Sequence, residues 1–261
     1  MVSYFRNLIK YRYLLINLTS REIKSRYKQS ILGYFWIVLN PFFQMLVMTF
    51  VFSFILKIPT SGNIPYNLFL YSGLLPWTLF VASVTSSTTS LVDNSALIKK
   101  IYFPREIIIT ATTIAKIYDF LLASIIFVIF LILNHTSISS IIFFLPLILL
   151  IQIFFSLGIS FILSAANLFY RDVQYLINLV FLVWFYLTPI IYPVELAPSK
   201  ARLIFQLNPM SVLINAMRRT IFGEGDLNYT SLLIALGITL IIFELGYLFF
   251  KKLEGVFADV V

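Results

Sequence analysis

The longest stretch of this sequence without a charged side chain runs from Phe120 to Tyr170. These 51 residues contain no Asp, Glu, Lys or Arg, whereas one membrane-spanning helix needs only about 20 apolar residues. The stretch is therefore long enough for two crossings and a turn. Over the whole chain, 60% of the residues are hydrophobic and 11% are charged, against about 25% charged residues in an ordinary globular domain. The sequence predicts an all-α integral membrane protein.

Six apolar segments are each long enough to cross a bilayer with some tilt. They lie near residues 31–56, 66–92, 107–133, 141–168, 173–193 and 229–250. Six crossings would place both ends of the chain on one side, and 13 Lys and Arg residues lie on that side against five on the other. The positive-inside rule then predicts that both termini are cytoplasmic. The formal net charge of +8 is thus a topology signal and predicts no nucleic-acid partner. We expect one transmembrane domain over residues 1–261.

Residues 1–30 have the pattern of an amphipathic helix that lies in the membrane interface. An apolar stripe and a basic stripe recur at helical spacing. The apolar stripe contains Tyr4, Leu8, Tyr11, Leu15 and Leu18, and the basic residues assigned to the interface are Arg21, Lys24, Arg26 and Lys28. The pattern alone leaves two interpretations equally open, a simple topology anchor and a contact surface for a partner.

Residues 93–106, which we name the coupling segment, form a second cytoplasmic stretch with helical spacing that Pro104 ends. Apolar side chains beside charged ones favour docking against a partner, and the alternative is a loop that lies on the lipid headgroups. The residues assigned to docking are Leu97, Ile98, Lys99, Lys100, Tyr102, Phe103, Arg105 and Glu106.

Residues 195–222, which we name the gate segment, are predicted to lie on the opposite, external side before the last span. Asn208 followed by Pro209 predicts the start of a helix, and Gly223 predicts its end. We expect two short re-entrant helices that are enclosed by protein or by a water-filled cavity. Such a pair would suit a gate over a pore exit, and the gate residues assigned are Pro209, Met210, Leu213 and Met217.

Lys116 and Asp119 are ionisable residues within an apolar span, and their spacing makes them neighbours on a helix. We interpret them as a structural ion pair, with a proton or ion relay as the alternative. The sequence contains no G-x-x-x-x-G-K-[ST] nucleotide loop, no H-E-x-x-H motif and no G-x-S-x-G motif. We therefore expect no ATP hydrolysis, no catalytic residue, no metal and no cofactor in this chain.

Several sequence runs together resemble the permease subunits of ABC exporters for polysaccharide. These exporters move lipid-linked O-antigen, capsular polysaccharide or teichoic acid. The resemblance extends from about residue 20 to the end of the chain. Its runs are REIKSRYKQSILGYFW (21–36) followed by Asn40-Pro41, SGLLPW (72–77), LIKKIYFPRE (97–106), NLFYRDV (167–173), LNPM (207–210) and FADV (257–260).

The resemblance implies a homodimer in the bacterial cytoplasmic membrane whose two halves enclose a channel. Two copies of a separate ATPase subunit, which would bind ATP and Mg, would contact the N-terminal helix and the coupling segment. The first, second and fifth spans would line the channel, which makes Tyr34, Trp36, Tyr71 and Trp77 candidate contacts for sugar. The sequence equally allows these aromatic residues to be interface belt or packing.

Two rival functions remain from the sequence. An ABC exporter of drugs or small lipids shares the six-span plan, although the polysaccharide-type runs argue against it. An integral-membrane glycosyl or acyl transferase would need convergent acidic or histidine residues at a membrane face, and the sequence pattern shows none.

Overall fold

The computed structural model describes residues 2–27, 33–60, 64–196, 204–223 and 227–260. Within these ranges the chain is helical or irregular, with no β-strand. The helices are α1 (Val2–Lys10), α2 (Arg12–Tyr27), α3 (Phe35–Thr49), α4 (Tyr66–Asp93), α5 (Ser95–Lys100), α6 (Glu106–Leu133), α7 (Leu145–Phe169), α8 (Val173–Tyr186), α9 (Pro209–Phe222), α10 (Tyr229–Leu253) and α11 (Phe257–Val260).

Short 3-10 or π-helical turns adjoin several of these helices. A π-helical turn, Phe50–Ile55, extends α3, and a 3-10 turn, Ser140–Phe144, leads into α7. Two further 3-10 turns, Val194–Leu196 and Glu254–Val256, precede α9 and α11 respectively.

Five helical segments are long and apolar enough to cross a membrane. They are Phe35–Ile55, Tyr66–Asp93, Glu106–Leu133, Ser140–Phe169 and Tyr229–Val256, and they agree with five of the six predicted spans to within a few residues at most ends. The remaining predicted span, 173–193, which is the fifth along the chain, is not matched in full. Helix α8 has 14 residues, a length of about 21 Å at 1.5 Å per residue, whereas the hydrocarbon core is about 30 Å thick. The chain is thus a multi-pass, all-helical membrane protein.

Helix α4 lies at the centre of the bundle. It contacts α6 and α7 along its length and also meets α3, α8 and α9. Most of its side chains are buried, including Tyr71 and Phe80. A helix in this position has few side chains that face lipid, and most of its residues are apolar or small.

Helices α7 and α10 cross at two glycines that allow their backbones to touch. A Cβ atom placed on Gly158 would lie 2.7 Å from the Cα atom of Phe243, and one placed on Gly246 would overlap the carbonyl oxygen of Gly158. Small residues permit this close approach, which is a common way to join helices inside a membrane. The crossing holds the last span against α7.

The two termini of the described chain lie at the same end of the bundle. One apolar cluster joins Tyr4 and Leu18 of the N-terminal helices, Phe103 of the coupling segment, and Phe250 and Phe257 near the C-terminus. An even number of crossings would give this arrangement.

The opposite end of the bundle contains the starts of α4 and α7, the turn after α8, and α9. There the hydroxyl of Tyr66 donates to the carbonyl oxygen of Ile191 at 2.8 Å, and the backbone N–H of Ser139 donates to the carbonyl oxygen of Ile221 at 3.0 Å. These bonds tie the start of α4 and the start of α7 to the segment around α9.

Candidate functional site

The N-terminal helices are packed against the bundle through their apolar stripe. Tyr4 and Leu18 are buried, and Leu8, Tyr11 and Leu15 pack against the same cluster. The Tyr4 hydroxyl lies 3.0 Å from Oγ1 of Thr110. Burial raises the pKa of Tyr4 above its ordinary value, so its hydroxyl stays neutral and can serve as donor or acceptor. The stripe predicted from the sequence therefore faces protein.

Two of the basic residues assigned to the interface, Arg21 and Lys24, lie on the exposed side of α2. The Arg21 guanidinium donates to Oδ1 of Asn94, where the coupling segment begins. The side chain of Arg26 and the whole of Lys28 lie outside the described residues. Helix α2 thus touches the coupling segment through a polar contact.

Five residues from three separate parts of the chain form a polar group that we name the ion cluster. The carboxylate of Glu106 is fully buried and accepts from Nδ2 of Asn7 at 2.8 Å and from Nζ of Lys251 at 2.7 Å. Lys251 also donates to Oε2 of Glu254 at 2.7 Å. The backbone N–H of Arg105 donates to Oε1 of Glu254 at 2.7 Å, and its guanidinium donates to the Glu254 carbonyl at 3.0 Å.

The ion cluster fixes α1, the start of α6 and the end of α10 relative to one another. A buried carboxylate is tolerated only when it is paired and hydrogen-bonded, so these segments are expected to move as one unit. Arg105 and Glu106 directly follow the coupling segment's turn at Pro104. A displacement of the coupling segment would therefore be passed to both ends of the chain.

The coupling segment has an outward side and an inward side, which helical spacing alone did not separate. Tyr102 is 86% exposed, and Lys99, Lys100 and Ile101 are also exposed. Leu97 is half-buried. Ile101 was not assigned to docking, although its spacing of four from Leu97 was a signal in the sequence.

The structure corrects the assignment of the other docking residues. Phe103 is 2% exposed, and Ile98, Arg105 and Glu106 are buried as well. Their side chains pack under the outward side or join the ion cluster, so they support the surface and do not form it.

Helix α9 begins and ends where the sequence predicts. The side chain of Asn208 accepts from the backbone N–H of Met210 at 3.1 Å, Pro209 occupies the first helical position, and Gly223 adopts the left-handed conformation with φ 71°. Met210, Leu213 and Met217 are buried, as is Pro209. These assigned gate residues therefore anchor α9 in the core of the protomer. Of the first predicted re-entrant helix, residues 204–207 are helical and residues 197–203 lie outside the described residues.

Arg218 is a structural residue that the sequence reasoning missed. Its guanidinium is buried and donates to the carbonyl oxygens of Pro189 at 2.6 Å, Ile190 at 2.8 Å and Phe69 at 3.1 Å, and to Oγ of Ser72 at 3.3 Å. It also lies 3.8 Å from the centre of the Phe69 ring. The available signal was its spacing of four from Ile214, which places it on the buried face of α9.

Gly73 makes room for this arginine. A Cβ atom at that position would lie 2.5 Å from Nη2 of Arg218. Arg218 therefore holds α9, the start of α4 and the turn after α8 together. It also supplies donors to the carbonyl groups of Pro189 and Ile190, which lie in a turn shielded from water.

The four candidate sugar contacts divide into two pairs. Tyr34 and Trp36, at the start of α3, are 45% and 44% exposed. Tyr71 is 0% exposed and its hydroxyl donates to the carbonyl oxygen of Ala123 at 3.1 Å. Trp77 is 5% exposed and its ring centre lies 5.7 Å from that of Phe185. Tyr71 and Trp77 are thus buried in the core of the protomer, whereas Tyr34 and Trp36 lie at its surface.

The predicted pair of Lys116 and Asp119 is present, with Nζ and Oδ2 separated by 3.9 Å. Both side chains border a cleft between α3, α4 and α6. Among the described residues, no group of three or more His, Cys, Asp or Glu side chains could hold a metal ion.

Comparison with known proteins places this architecture in a family. The family model described as ABC-2 type transporter matches residues 13–222. The chain is 35% identical over 248 residues to an O-antigen export system permease protein RfbA of Klebsiella pneumoniae, covering 95% of this chain and 94% of the relative. It is 33% identical to RfbA of Myxococcus xanthus and 24% identical to the polysialic acid transport protein KpsM of Escherichia coli, with 90% of this chain covered in each case. The chain belongs to the ABC-2 type transporter family.

Proposed function

We propose that this chain is the permease subunit of an ATP-driven exporter that moves lipid-linked polysaccharide of the O-antigen, capsule or teichoic acid type across the bacterial cytoplasmic membrane. The observation that carries this proposal is the similarity to O-antigen export permeases over 95% of the chain. The family match over residues 13–222 includes the coupling segment and the gate segment. The chain would form the path, and a separate subunit would bind ATP and Mg and hydrolyse the nucleotide.

The outward side of the coupling segment is the proposed contact for that ATPase. Lys99, Lys100, Ile101 and Tyr102 combine charge with exposed apolar surface. Tyr is enriched at protein interfaces, and burial of the apolar surface of Tyr102 and Ile101 would stabilise the complex. The ion cluster directly behind this surface would transmit the ATPase's movement to α1 and α10. The basic side of α2, including Arg21 and Lys24, would extend the contact.

The proposed topology has six crossings and cytoplasmic termini. Helix α8 and the buried turn up to residue 193 would together provide the short fifth crossing, because non-helical backbone at membrane depth is tolerated when protein encloses it. The excess of basic residues at the end that carries both termini supports a cytoplasmic location for that end. Helix α9 and the helical residues 204–207 would then be external re-entrant elements.

Two copies of the chain would enclose the channel in this proposal. Helices α3 and α8 expose large apolar side chains along most of their length, which a second copy and lipid could cover. Tyr34 and Trp36 would offer flat faces to the sugar chain. Many weak stacking contacts would allow a long hydrated polymer to slide.

The experiment that tests the proposal is deletion of the gene for this chain in its own bacterium. We expect lipid-linked glycan to accumulate inside the cytoplasmic membrane and to disappear from the cell surface, with recovery when the gene is restored. Normal surface glycan, together with increased sensitivity to small apolar drugs, would contradict the proposal and favour the rival drug exporter.

A further inference from the structure

The last helix of the chain, α11, lies between two segments that are far apart in the sequence. It contacts both α5 of the coupling segment and the end of α7. Phe257, its first residue, is 0% exposed. The apolar cluster that contains Phe257 also contains Ile98 of α5 and Leu168 of α7. Helix α11 therefore bridges the coupling segment and α7.

The ring of Phe257 has aromatic neighbours on two other helices. Its centre lies 5.1 Å from that of Phe250 in α10 and 6.5 Å from that of Phe169, the last residue of α7. Both distances are within the range of edge-to-face aromatic contacts. Protein interiors are packed too closely to be compressed, so a displacement of one of these rings displaces its neighbours.

The residues just before α11 are hydrogen-bonded to the coupling segment. The backbone N–H of Arg105 donates to Oε1 of Glu254 at 2.7 Å, and the Arg105 guanidinium donates to the Glu254 carbonyl oxygen at 3.0 Å. Glu254 precedes Phe257 by only three residues. A movement of the coupling segment would thus reach α11 through these polar contacts and through the apolar cluster.

The end of α7 is in turn fixed to the start of α8. In the turn between them, the backbone N–H of Val173 donates to the carbonyl oxygen of Tyr170 at 3.1 Å. The backbone N–H of Gln174 donates to Oδ1 of Asn167 at 3.2 Å, and Asn167 is buried. A displacement at Phe169 would therefore be passed to α8.

We propose that α11 is a mechanical link that carries movement of the coupling segment to the turn between α7 and α8, with Phe257 as the positioning residue. Coupling through a protein needs a continuous set of packed groups, and α11 supplies one here. This route ends at α8, whereas the ion cluster leads to α1 and α10. The inference rests on the proposed function in one respect, because the ATPase would supply the movement.

Hydrogen exchange tests the link without the ATPase. The purified protein in detergent is compared with a chain that ends after Val256 and so lacks α11. The amides of Ile98 and Ile101, which are hydrogen-bonded within the coupling segment, should exchange about tenfold faster because that segment loses a packed neighbour. The amides of Val173 and Gln174 should also exchange faster, whereas those of α9, at the opposite end of the bundle, should not change. Unchanged exchange at Val173 and Gln174 would overturn the proposal.

Three substitutions cover the case in which the shortened chain does not fold. Phe257→Ala removes the ring and should reproduce the faster exchange at both segments. Phe257→Leu keeps most of the apolar bulk and should restore most of the protection. Val260→Ala, at a position 40% exposed on the same helix, should exchange like the wild-type protein. Equal exchange in Phe257→Ala and Val260→Ala would contradict the role of Phe257.

A second comparison adds the proposed ATPase and a non-hydrolysable ATP analogue. In the wild-type protein, exchange should change both at the coupling segment and at the turn between α7 and α8. In Phe257→Ala the coupling segment should still respond, and the turn should not. A turn that responds equally in both proteins would overturn the link. A wild-type coupling segment that does not respond would instead contradict the proposed ATPase contact, and the comparison without ATPase would still decide the link.

Discussion

Tyr102 and Phe103 are adjacent aromatic residues, but Tyr102 is exposed and Phe103 is buried. Replacing each with Ala should therefore impair a different property of the protein. Phe103 is 2% exposed and packs in the apolar cluster beneath the coupling segment. Truncation of a buried Phe to Ala costs about 3–5 kcal/mol, from lost burial and the cavity that remains. Tyr102 is 86% exposed, and surface substitutions change stability by about 0.5 kcal/mol or less. Phe103→Ala should therefore destabilise the fold, and Tyr102→Ala should not.

The two variants are compared by thermal unfolding in detergent and by co-purification of the ATPase. Tyr102→Ala should unfold at the wild-type midpoint but retain less ATPase, because Tyr is enriched among the few interface residues that each contribute about 2 kcal/mol or more to binding. Phe103→Ala should lower the unfolding midpoint. A Phe103→Ala protein with wild-type stability would refute the inward assignment. Full ATPase retention and normal export by Tyr102→Ala would refute the proposed contact between Tyr102 and the ATPase.

Three further predictions concern the contacts that hold the bundle together. Gly246→Ala should lower the unfolding midpoint relative to Gly237→Ala, by the equivalent of about 1–3 kcal/mol. The reason is that a Cβ atom at Gly246 overlaps the α7 backbone, whereas one at Gly237 meets nothing within 4 Å. Equal midpoints for the two variants would contradict the close crossing. Lys251→Met should destabilise the protein by up to about 3 kcal/mol in the same assay, whereas Lys252→Met, at an exposed position, should have little effect. A larger loss of stability in Lys252→Met than in Lys251→Met would contradict the ion cluster. Arg218→Met should make reconstituted vesicles leaky to small ions, because the turn after α8 loses its donors; tight vesicles that contain folded variant would show that Arg218 is not needed for closure.

The length and composition of the apolar runs were sufficient to place five spanning helices. Desolvation of an unpaired backbone forces such runs to be helical, so their ends follow from where polar residues begin. The run at 173–193 is equally apolar, but its helix ends at Tyr186. Pro189 disfavours helical geometry in the residue before it, and its carbonyl group is instead bonded to Arg218.

Which side of each segment faces protein depended on partners far away in the sequence. The sequence assigned both Tyr102 and Phe103 to docking, but Phe103 is buried because Phe250 and Phe257 pack in the same cluster. The charge of Glu106 predicts a surface position, but its carboxylate is buried against Asn7 and Lys251. Tyr71 likewise lies in a span whose sequence does not reveal that α4 is surrounded on all sides.

The most direct test of the central claim is transport in inside-out membrane vesicles that contain this chain and its proposed partner ATPase. Lipid-linked glycan added to the outer face should become protected from a glycan-degrading enzyme only when ATP and both subunits are present. The chain without the ATPase should neither protect glycan nor hydrolyse ATP. Two results would contradict the proposed export function. One is ATP-dependent protection of glycan by this chain alone, and the other is ATP hydrolysis by the complex of both subunits without any transfer of glycan.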